Sequence, residues 1–407
     1  MIQIAIMGHG VVGSGVVEVL RRNADAIARK AGDAIDIKRI LDLRSFPDSP
    51  LCDRFTTNFE DIVNDPEIRI VVETMGGLRP AYDFVKRCLE NGKSVVTSNK
   101  ELVAAKGDEL LALAKENNLN FLFEASVGGG IPILRPLDQC LAANEVTEVA
   151  GILNGTTNFM LTKMVEEGLS FEEALSLAQK LGYAERDPSA DINGPDACRK
   201  ICILAALAFG HHVWPEQVFT EGIAAVTGDD VAAAAALGGV VRLIGRAKKY
   251  PDGRLHILVA PMVVEKSCLL SQVNDVFNAI LVRGNALGDA VFYGRGAGKL
   301  PTASAVVADV IDEVKHLHKR KYLFWEPALP NYICPADEEP YAWMLRVAKE
   351  AVPAALQALP GAVTAAETVL RTASMTPTAL KAALSQAGVE PESCLRIFSA
   401  QQVELEE

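Results

Sequence analysis

The chain opens on an uninterrupted apolar run, Ile2 to Met7, which stops at a glycine and gives way to Val16, Val19 and Leu20, spaced three and four apart. A short apolar run bounded by glycine reads as a buried strand, and the second spacing as a helix with one buried face. The alternation continues. Strands are expected over Ile35 to Leu41, Ile68 to Glu73, Ser94 to Thr97 and Leu119 to Glu124, with helices over Ala81 to Glu90 and Leu102 to Glu116. Strand and helix in strict alternation predict an α/β domain with a doubly wound parallel sheet, whose ligands lie beyond the carboxyl ends of the strands.

Past residue 135 the pattern changes. A strand from Val146 to Leu153 precedes a helix from Phe159 to Glu167. A second helix starts near residue 195, with Cys198, Ile201, Cys202, Ala205, Ala208 and Phe209 on one face. An alanine run (Ala232 to Ala236) then leads into strands over Val240 to Lys248 and Leu255 to Val264. Strands returning after helices predict a mixed or antiparallel sheet in an α+β domain. After Pro330, shorter elements follow: Ala342 to Val347, Pro353 to Leu359, Val363 to Ser374, Pro377 to Ala387 and Cys394 to Ser399.

At 407 residues the chain exceeds what one core usually holds, so two or three domains are expected. The boundaries read as a dinucleotide-binding domain over 1–135, completed by a helix over 301–320, a substrate-binding and dimerisation domain over 136–300, and a small C-terminal domain over 331–407. A net charge of −12 offers no footprint for nucleic acid or an anionic membrane surface. The most cationic stretch, Lys315 to Lys321, reads as a solvated helix end. Eight cysteines without CxxC pairing read as reduced thiols, and no apolar run approaches about 18 residues. With no signal peptide evident, a cytoplasmic protein is expected.

Gly8, Gly10 and Gly13, with His9, Val11 and Val12 between them, form GxGxxG at a strand-to-helix turn. In that context glycines let a pyrophosphate approach the backbone and the helix N-terminus supplies N–H groups, so a Rossmann-type dinucleotide site is expected, with His9 as a spacer. Asp42 ends the second strand and suits ribose hydroxyls, which favours NAD. Arg44 suits a 2′-phosphate, so the choice between NAD and NADP stays open. Thr74 and Lys100 follow buried strands at the ligand-binding edge. Glu124 meets a glycine-rich loop, either as a cation ligand beside loop carbonyls or as a capping carboxylate.

The densest chemistry is GYAERDPSADINGPDACRK, Gly182 to Lys200. Asn193, Gly194 and Pro195 suit a turn and helix entry. Asp196 and Lys200 then lie one turn apart, either as an exposed ion pair of about 0.3–0.5 kcal/mol or as a proton-transferring group whose affinity is set by neighbouring carboxylates. The crowding of Glu185, Asp187 and Asp191 favours the second. Asn154, Gly155 and Thr156 offer polar groups to a small substrate or cap a helix. His211 and His212 lack metal-ligand spacing and read as structural.

In order along the chain, GHGVVGSGV, TSNKELVA, EASVGGGIPI, GILNGTTNFML, the charged loop and GRGAGKLPTASAVVADVI closely resemble homoserine dehydrogenase, over residues 1 to about 325. The resemblance implies reversible, NAD(P)-dependent interconversion of L-homoserine and L-aspartate 4-semialdehyde, on the route to threonine and methionine, by a homodimer or homotetramer. It places Lys200 as the proton donor, Asp196 and Glu185 as homoserine contacts, Lys100 as a second lysine at the cofactor and substrate junction, and Gly182 and Gly298 on the cofactor side. It also implies a sodium ion held by Glu124, Val127, Gly129 and Ile131. Arg295 stands where many relatives carry proline. Homoserine is a zwitterion, and Glu185 and Asp191 suit its ammonium. Two rival functions are a dehydrogenase for another small hydroxy acid and a non-catalytic dinucleotide sensor.

The tail resembles the ACT domains that many homoserine dehydrogenases carry here. Its first strand lacks the usual following glycine loop, which is replaced by Ala348 to Pro353. A structural or dimerising remnant is expected, with Trp343, Leu345 and Phe398 exposed or facing a partner, and weak, competitive inhibition by threonine.

Overall fold

In the computed structural model of the chain, residues 1–317, 319–321 and 323–399 are described, and they divide into two compact units. The first comprises Met1–Ala143, Cys202–Pro215 and Gly294–Leu329. Its sheet is built from β1 (Ile2–Met7), β2 (Ile35–Leu41), β3 (Phe55–Thr56), β4 (Ile68–Glu73), β5 (Ser94–Thr97) and β6 (Phe121–Leu122) in the order β3-β2-β1-β4-β5-β6, every neighbouring pair parallel. The order reverses between β1 and β4, which is where such sheets hold ligands. The helices Val11–Arg22 and Lys299–Lys315 pack on this sheet through Val16, Leu20, Ala303, Val306 and Val310, against Ile4, Ile6 and Ile70. Ala303 lies close enough to Gly15 that a Cβ there would meet its methyl at 3.0 Å.

One expected strand is shorter than its apolar run. Leu119 to Glu124 keeps only Phe121–Leu122 as strand, because Glu124 starts a tight turn and gives its backbone N–H to Asp309 (2.8 Å) instead of to a neighbouring strand.

The second unit comprises Asn144–Ile201, Glu216–Tyr293 and Pro330–Glu407. Its strands are β7 (Val146–Ile152), β8 (Phe219–Thr220), β9 (Gly239–Lys249), β10 (Leu255–Glu265), β11 (Phe277–Gly284), β12 (Gly288–Arg295), β13 (Trp343–Arg346), β14 (Val363–Ala366), β15 (Val369–Arg371) and β16 (Ser393–Phe398). They form one mixed sheet in the order β12-β11-β7-β9-β10-β16-β13-β15-β14, with β8 paired to β10. The β7, β9, β10 and β11 pairings are antiparallel, while β16 runs parallel to β10.

The tail therefore continues this sheet through backbone hydrogen bonds. Trp343, Leu345 and Phe398, expected at the surface or against a partner, are buried instead in a core shared with Ile152, Ile244, Leu258 and Leu281. The expectation failed because a strand's apolar face gives no indication of which sheet covers it. Glu339 fastens the lead-in to the tail, accepting from Lys248 Nζ (2.9 Å) and Arg246 Nη1 (3.3 Å) as well as the Tyr250 hydroxyl. Residues 400–407 of the expected C-terminal domain lie outside the described residues.

Candidate active site

In the first unit the glycine turn works by backbone shape. Gly8 sits at φ +94°, and a Cβ on Gly13 would lie 2.0 Å from the Gly8 carbonyl oxygen, so neither position admits a side chain without rearrangement. A Cβ on Gly10 would meet no protein atom within 4 Å. Gly8 and Gly10 face a cavity of about 610 Å³ lined also by Asp42, Leu43, Arg44, Thr74, Met75, Gly76, Pro80 and Phe84. Thr74 Oγ1 donates to the Gly8 carbonyl (2.9 Å), which pins the turn to the end of β4. Val11 is exposed at the first turn of its helix, with Val12 half-buried behind it.

Asp42 and Arg44 do not compete for this cavity as separate groups. Arg44 donates Nε and Nη2 to the two oxygens of Asp42 (2.9 and 2.8 Å), and its own backbone N–H adds a third bond (3.0 Å). The His9 backbone N–H supplies a fourth (2.8 Å). Arg44 above all holds the Asp42 carboxyl well below the usual carboxylate range. The His9 ring meets Phe46 and Phe55 edge-on (centroids 4.9 and 5.0 Å), and burial there lowers its proton affinity.

Glu73, which the sequence reading passed over, is fully buried at the end of β4 and accepts from Thr97 Oγ1 (2.5 Å) and the Met75 N–H (2.7 Å); burial pushes its carboxyl up. Asn99 caps the helix Lys100–Glu116 and donates to the Gly77 carbonyl (2.7 Å), so Lys100 stands at the first position of a helix tied to the β4 turn. An acid ending an apolar run was the available signal for Glu73.

The Glu124 carboxylate accepts the backbone N–H groups of Ile133 (2.6 Å), Leu134 and Arg135 (both 2.8 Å), so three of its roughly four lone-pair directions are occupied. The carbonyls of Val127, Gly129 and Ile131 accept no hydrogen bond among the described residues. Carbonyl oxygens without a hydrogen bond are of the donor type a hard cation takes, so this donor set fits a sodium ion, with Glu124 a limited ligand because three N–H groups already occupy it. The loop is clamped: Gly130 donates to the Arg295 carbonyl (3.0 Å), and a Cβ on Gly129 would meet Gly296 at 2.4 Å. Arg295 thus joins this contact through its backbone. Gly298, at φ +125°, precedes the helix Lys299–Lys315.

In the second unit the charged loop runs through the short helix Ser189–Ile192 into the helix Pro195–Phe209. Asp196 and Lys200 are not a surface pair. Lys200 Nζ donates to Asp196 Oδ2 (2.8 Å) and to the Leu153 carbonyl (2.7 Å), and the two residues are 7% and 3% exposed. Asn154 donates to Asp191 Oδ1 (2.7 Å) and Asp196 Oδ2 (2.8 Å). Thr156 Oγ1 donates to the Tyr183 carbonyl (2.7 Å), tying the NGT turn to the start of the loop. A Cβ on Gly155 would lie 2.9 Å from the Val276 carbonyl oxygen, so the turn admits only glycine without adjustment.

Two residues expected here stand apart from that network. Glu185 is exposed, and its carboxylate makes no hydrogen bond among the described residues. Gly182, at φ +77°, turns the chain after the helix Phe171–Lys180 with open space where a Cβ would be. His212 is structural: its Nδ1 accepts from Trp325 Nε1 (3.1 Å). Cys198 and Cys202 are buried, while Cys52 and Cys140 are exposed.

Residues 8–124 match the family profile described as the homoserine dehydrogenase NAD-binding domain, and residues 132–311 match that described as homoserine dehydrogenase. Homoserine dehydrogenase of Pseudomonas aeruginosa is 41% identical over 357 residues, 85% of this chain and 81% of that one. A crystal structure of homoserine dehydrogenase from Thiobacillus denitrificans is similar with a TM-score of 0.89 at 36% identity, covering 98% of this chain and 99% of that one, so the likeness extends through the tail. A hyperthermophilic archaeal homoserine dehydrogenase in complex with NADPH is similar at a TM-score of 0.65 and 29% identity, covering 76% of this chain and 97% of that one.

Proposed function

The chain belongs to the homoserine dehydrogenase family, an oxidoreductase with an NAD-binding domain, and from that premise we propose how its residues divide the reaction. The single observation that carries the assignment is the buried Lys200–Asp196 pair, with the lysine also bonded to the Leu153 carbonyl. A nicotinamide held by the dinucleotide site would supply the hydride chemistry that interconverts L-homoserine and L-aspartate 4-semialdehyde. In the reductive direction Lys200 gives its proton to the developing alkoxide. In the oxidative direction neutral Lys200, or a water it holds, takes the hydroxyl proton. Asp196 keeps the ammonium oriented, and its charge favours recovery of the proton after each turnover.

Asp191 and Glu185 read the substrate ammonium, Glu185 from the exposed part of the loop. Gly155 and Thr156 present backbone and hydroxyl groups to the substrate, and Gly182 and Gly298 serve as cofactor-side turns. Gly8, Gly10, Val11, Val12, Gly13, Thr74 and Lys100 cradle the dinucleotide, with the pyrophosphate on the helix N-terminus. Either NAD or NADP is accepted: Arg44 takes a 2′-phosphate when one is present, and Asp42 faces the ribose when Arg44 turns away. The archaeal relative's NADPH complex supports the first mode. A sodium ion, held by Glu124 and the carbonyls of Val127, Gly129 and Ile131, would fix the glycine loop by charge attraction.

The same reading assigns dinucleotide binding to 1–135 together with residues 301–320, and substrate binding and dimerisation to 136–300, in a cytoplasmic homodimer or homotetramer. The strand, helix, hairpin, helix and strand of the tail support an ACT-like fold. The residues after its first strand form a short helical turn, Lys349–Ala351, and a helix, Val352–Ala358, in place of a glycine loop, so threonine inhibits weakly and competitively.

Initial rates with L-homoserine and each of NAD⁺ and NADP⁺, with and without threonine, test the proposal. Turnover with homoserine and none with a hydroxy acid lacking the ammonium is expected; no turnover with homoserine contradicts it. Strong non-competitive threonine inhibition would contradict the reading of the tail.

A further inference from the structure

The sequence left Asn154 as part of a substrate-facing turn or as a helix cap, and it does cap: its Oδ1 accepts from the Thr157 N–H (2.8 Å) and the Thr157 hydroxyl (3.0 Å) at the start of the helix Gly155–Glu167. A cap uses only the oxygen of the amide. Here the amide nitrogen is also committed, one hydrogen to Asp191 Oδ1 and the other to Asp196 Oδ2. The side chain is 5% exposed and all of its hydrogen-bonding capacity is used. Its orientation follows from these partners, since the flipped amide would set its oxygen against two carboxylates and its N–H₂ against an N–H donor.

The bonds join three separate stretches of chain. Asn154 follows β7, Asp191 lies in the short helix of the charged loop, and Asp196 is in the first turn of the helix that carries Lys200. Asp196 Oδ2 is the common point, accepting from Asn154 and from Lys200 at 2.8 Å each. Leu153, the residue before Asn154, offers its carbonyl to the other side of the same ammonium. Lys200 is thus positioned by one residue directly and by its chain neighbour through Asp196. Without the bridge, nothing in these bonds would hold Asp191 to Asp196, and two carboxylates repel unless a donor lies between them.

We infer that Asn154 is a positioning residue that couples Asp191 to the Lys200–Asp196 pair, so that the carboxylate reading the substrate ammonium and the lysine moving the proton are held as one unit. The inference rests on the proposed roles of Lys200 and Asp191. The charged groups joined by these bonds are Asp191, Asp196 and Lys200, and a change at Asn154 acts on them through geometry and charge. Helix capping alone would place no demand on the amide hydrogens.

Asn154→Asp separates the two roles. Aspartate keeps the cap acceptor, removes both donated hydrogens and sets a third carboxylate beside two others, which raises the proton affinity of the group. The expected result is an acid limb of kcat/KM for homoserine moved up by roughly one pH unit or more, with a KM raised about tenfold and an unchanged dissociation constant for NADPH. Asn154→Ser, which keeps a cap oxygen without adding charge, is expected to lower kcat/KM by about 10- to 100-fold with the acid limb in place. Wild-type kcat, KM and acid limb in Asn154→Asp would overturn the inference. If that variant does not fold, Asn154→Ser decides: full kcat and KM, with or without a lower Tm, leave Asn154 as a cap only and overturn it. Lys200→Met measured alongside separates the premises. An inactive Lys200→Met beside fully active Asn154 variants refutes the bridge alone, whereas an active Lys200→Met refutes the reading of the site and the bridge with it.

Discussion

The glycine turn of the first unit and the Lys200 network of the second are built in opposite ways. The turn is made of backbone and is open at Gly10 to a cavity of about 610 Å³. The network is made of side chains, closed to solvent, with Lys200, Asp196, Asn154 and the Leu153 carbonyl bonded to one another. A dinucleotide is large and brings its own charge, so a fixed shape suffices to bind it. A proton transfer depends on the energy of one ammonium, which only fixed, desolvated neighbours can set.

The sharpest break in the comparison comes from Gly13→Ala. The added methyl group would lie 2.0 Å from the Gly8 carbonyl oxygen, which forces the turn to move. Loss of measurable NADPH binding by fluorescence titration is expected, with the fold of the second unit retained by hydrogen exchange; near-normal NADPH affinity would show that the turn adapts. Arg44→Ala is expected to have a smaller effect of opposite sign for the two cofactors. Removing the guanidinium frees Asp42 for ribose and takes a cation from any 2′-phosphate, so KM for NADP⁺ should rise about tenfold or more while KM for NAD⁺ stays or falls. Equal changes for both cofactors would count against the assignment.

The smallest effect concerns a buried acid outside both sites. Glu313, in the helix Lys299–Lys315, is 1% exposed, and burial pushes its carboxyl up to about 7. A carboxyl whose folded value is raised favours the native state only while protonated, so its contribution is complete below the ordinary range near 4.5 and is lost as pH rises through about 7. Glu313→Gln should therefore raise Tm by a few degrees at pH 8, and the gain should vanish by about pH 4.5. A gain that grows toward acid pH would contradict the sign.

Most of the first unit is legible in the chain because its signals are local. Ile2–Met7 and the glycines carry their meaning within one strand-turn-helix and Asp42 at the end of the next strand, and Gly8, Gly10 and Asp42 line one cavity. The helix start at Pro195 was equally readable from the Asn-Gly-Pro turn. What escaped the sequence depends on distant partners. Asn154 meets Asp191 and Asp196, which lie 37 and 42 residues away, whereas its own neighbourhood suggests only a cap or a substrate contact. Arg44 forks onto Asp42 instead of opposing it, a choice of side-chain rotamer that no spacing encodes. The tail was readable as alternating elements, but the parallel pairing of Met262 with Arg396 that merges it into the larger sheet was not.

The central claim is that the buried Lys200 transfers the proton while the glycine turn and the residues around its cavity hold the cofactor. Its most direct test is Lys200→Ala, assayed for homoserine oxidation and, in parallel, for NADPH affinity by fluorescence. The account predicts a kcat lower by about 10²-fold or more with NADPH binding nearly unchanged. Full turnover in that variant would remove Lys200 from the mechanism.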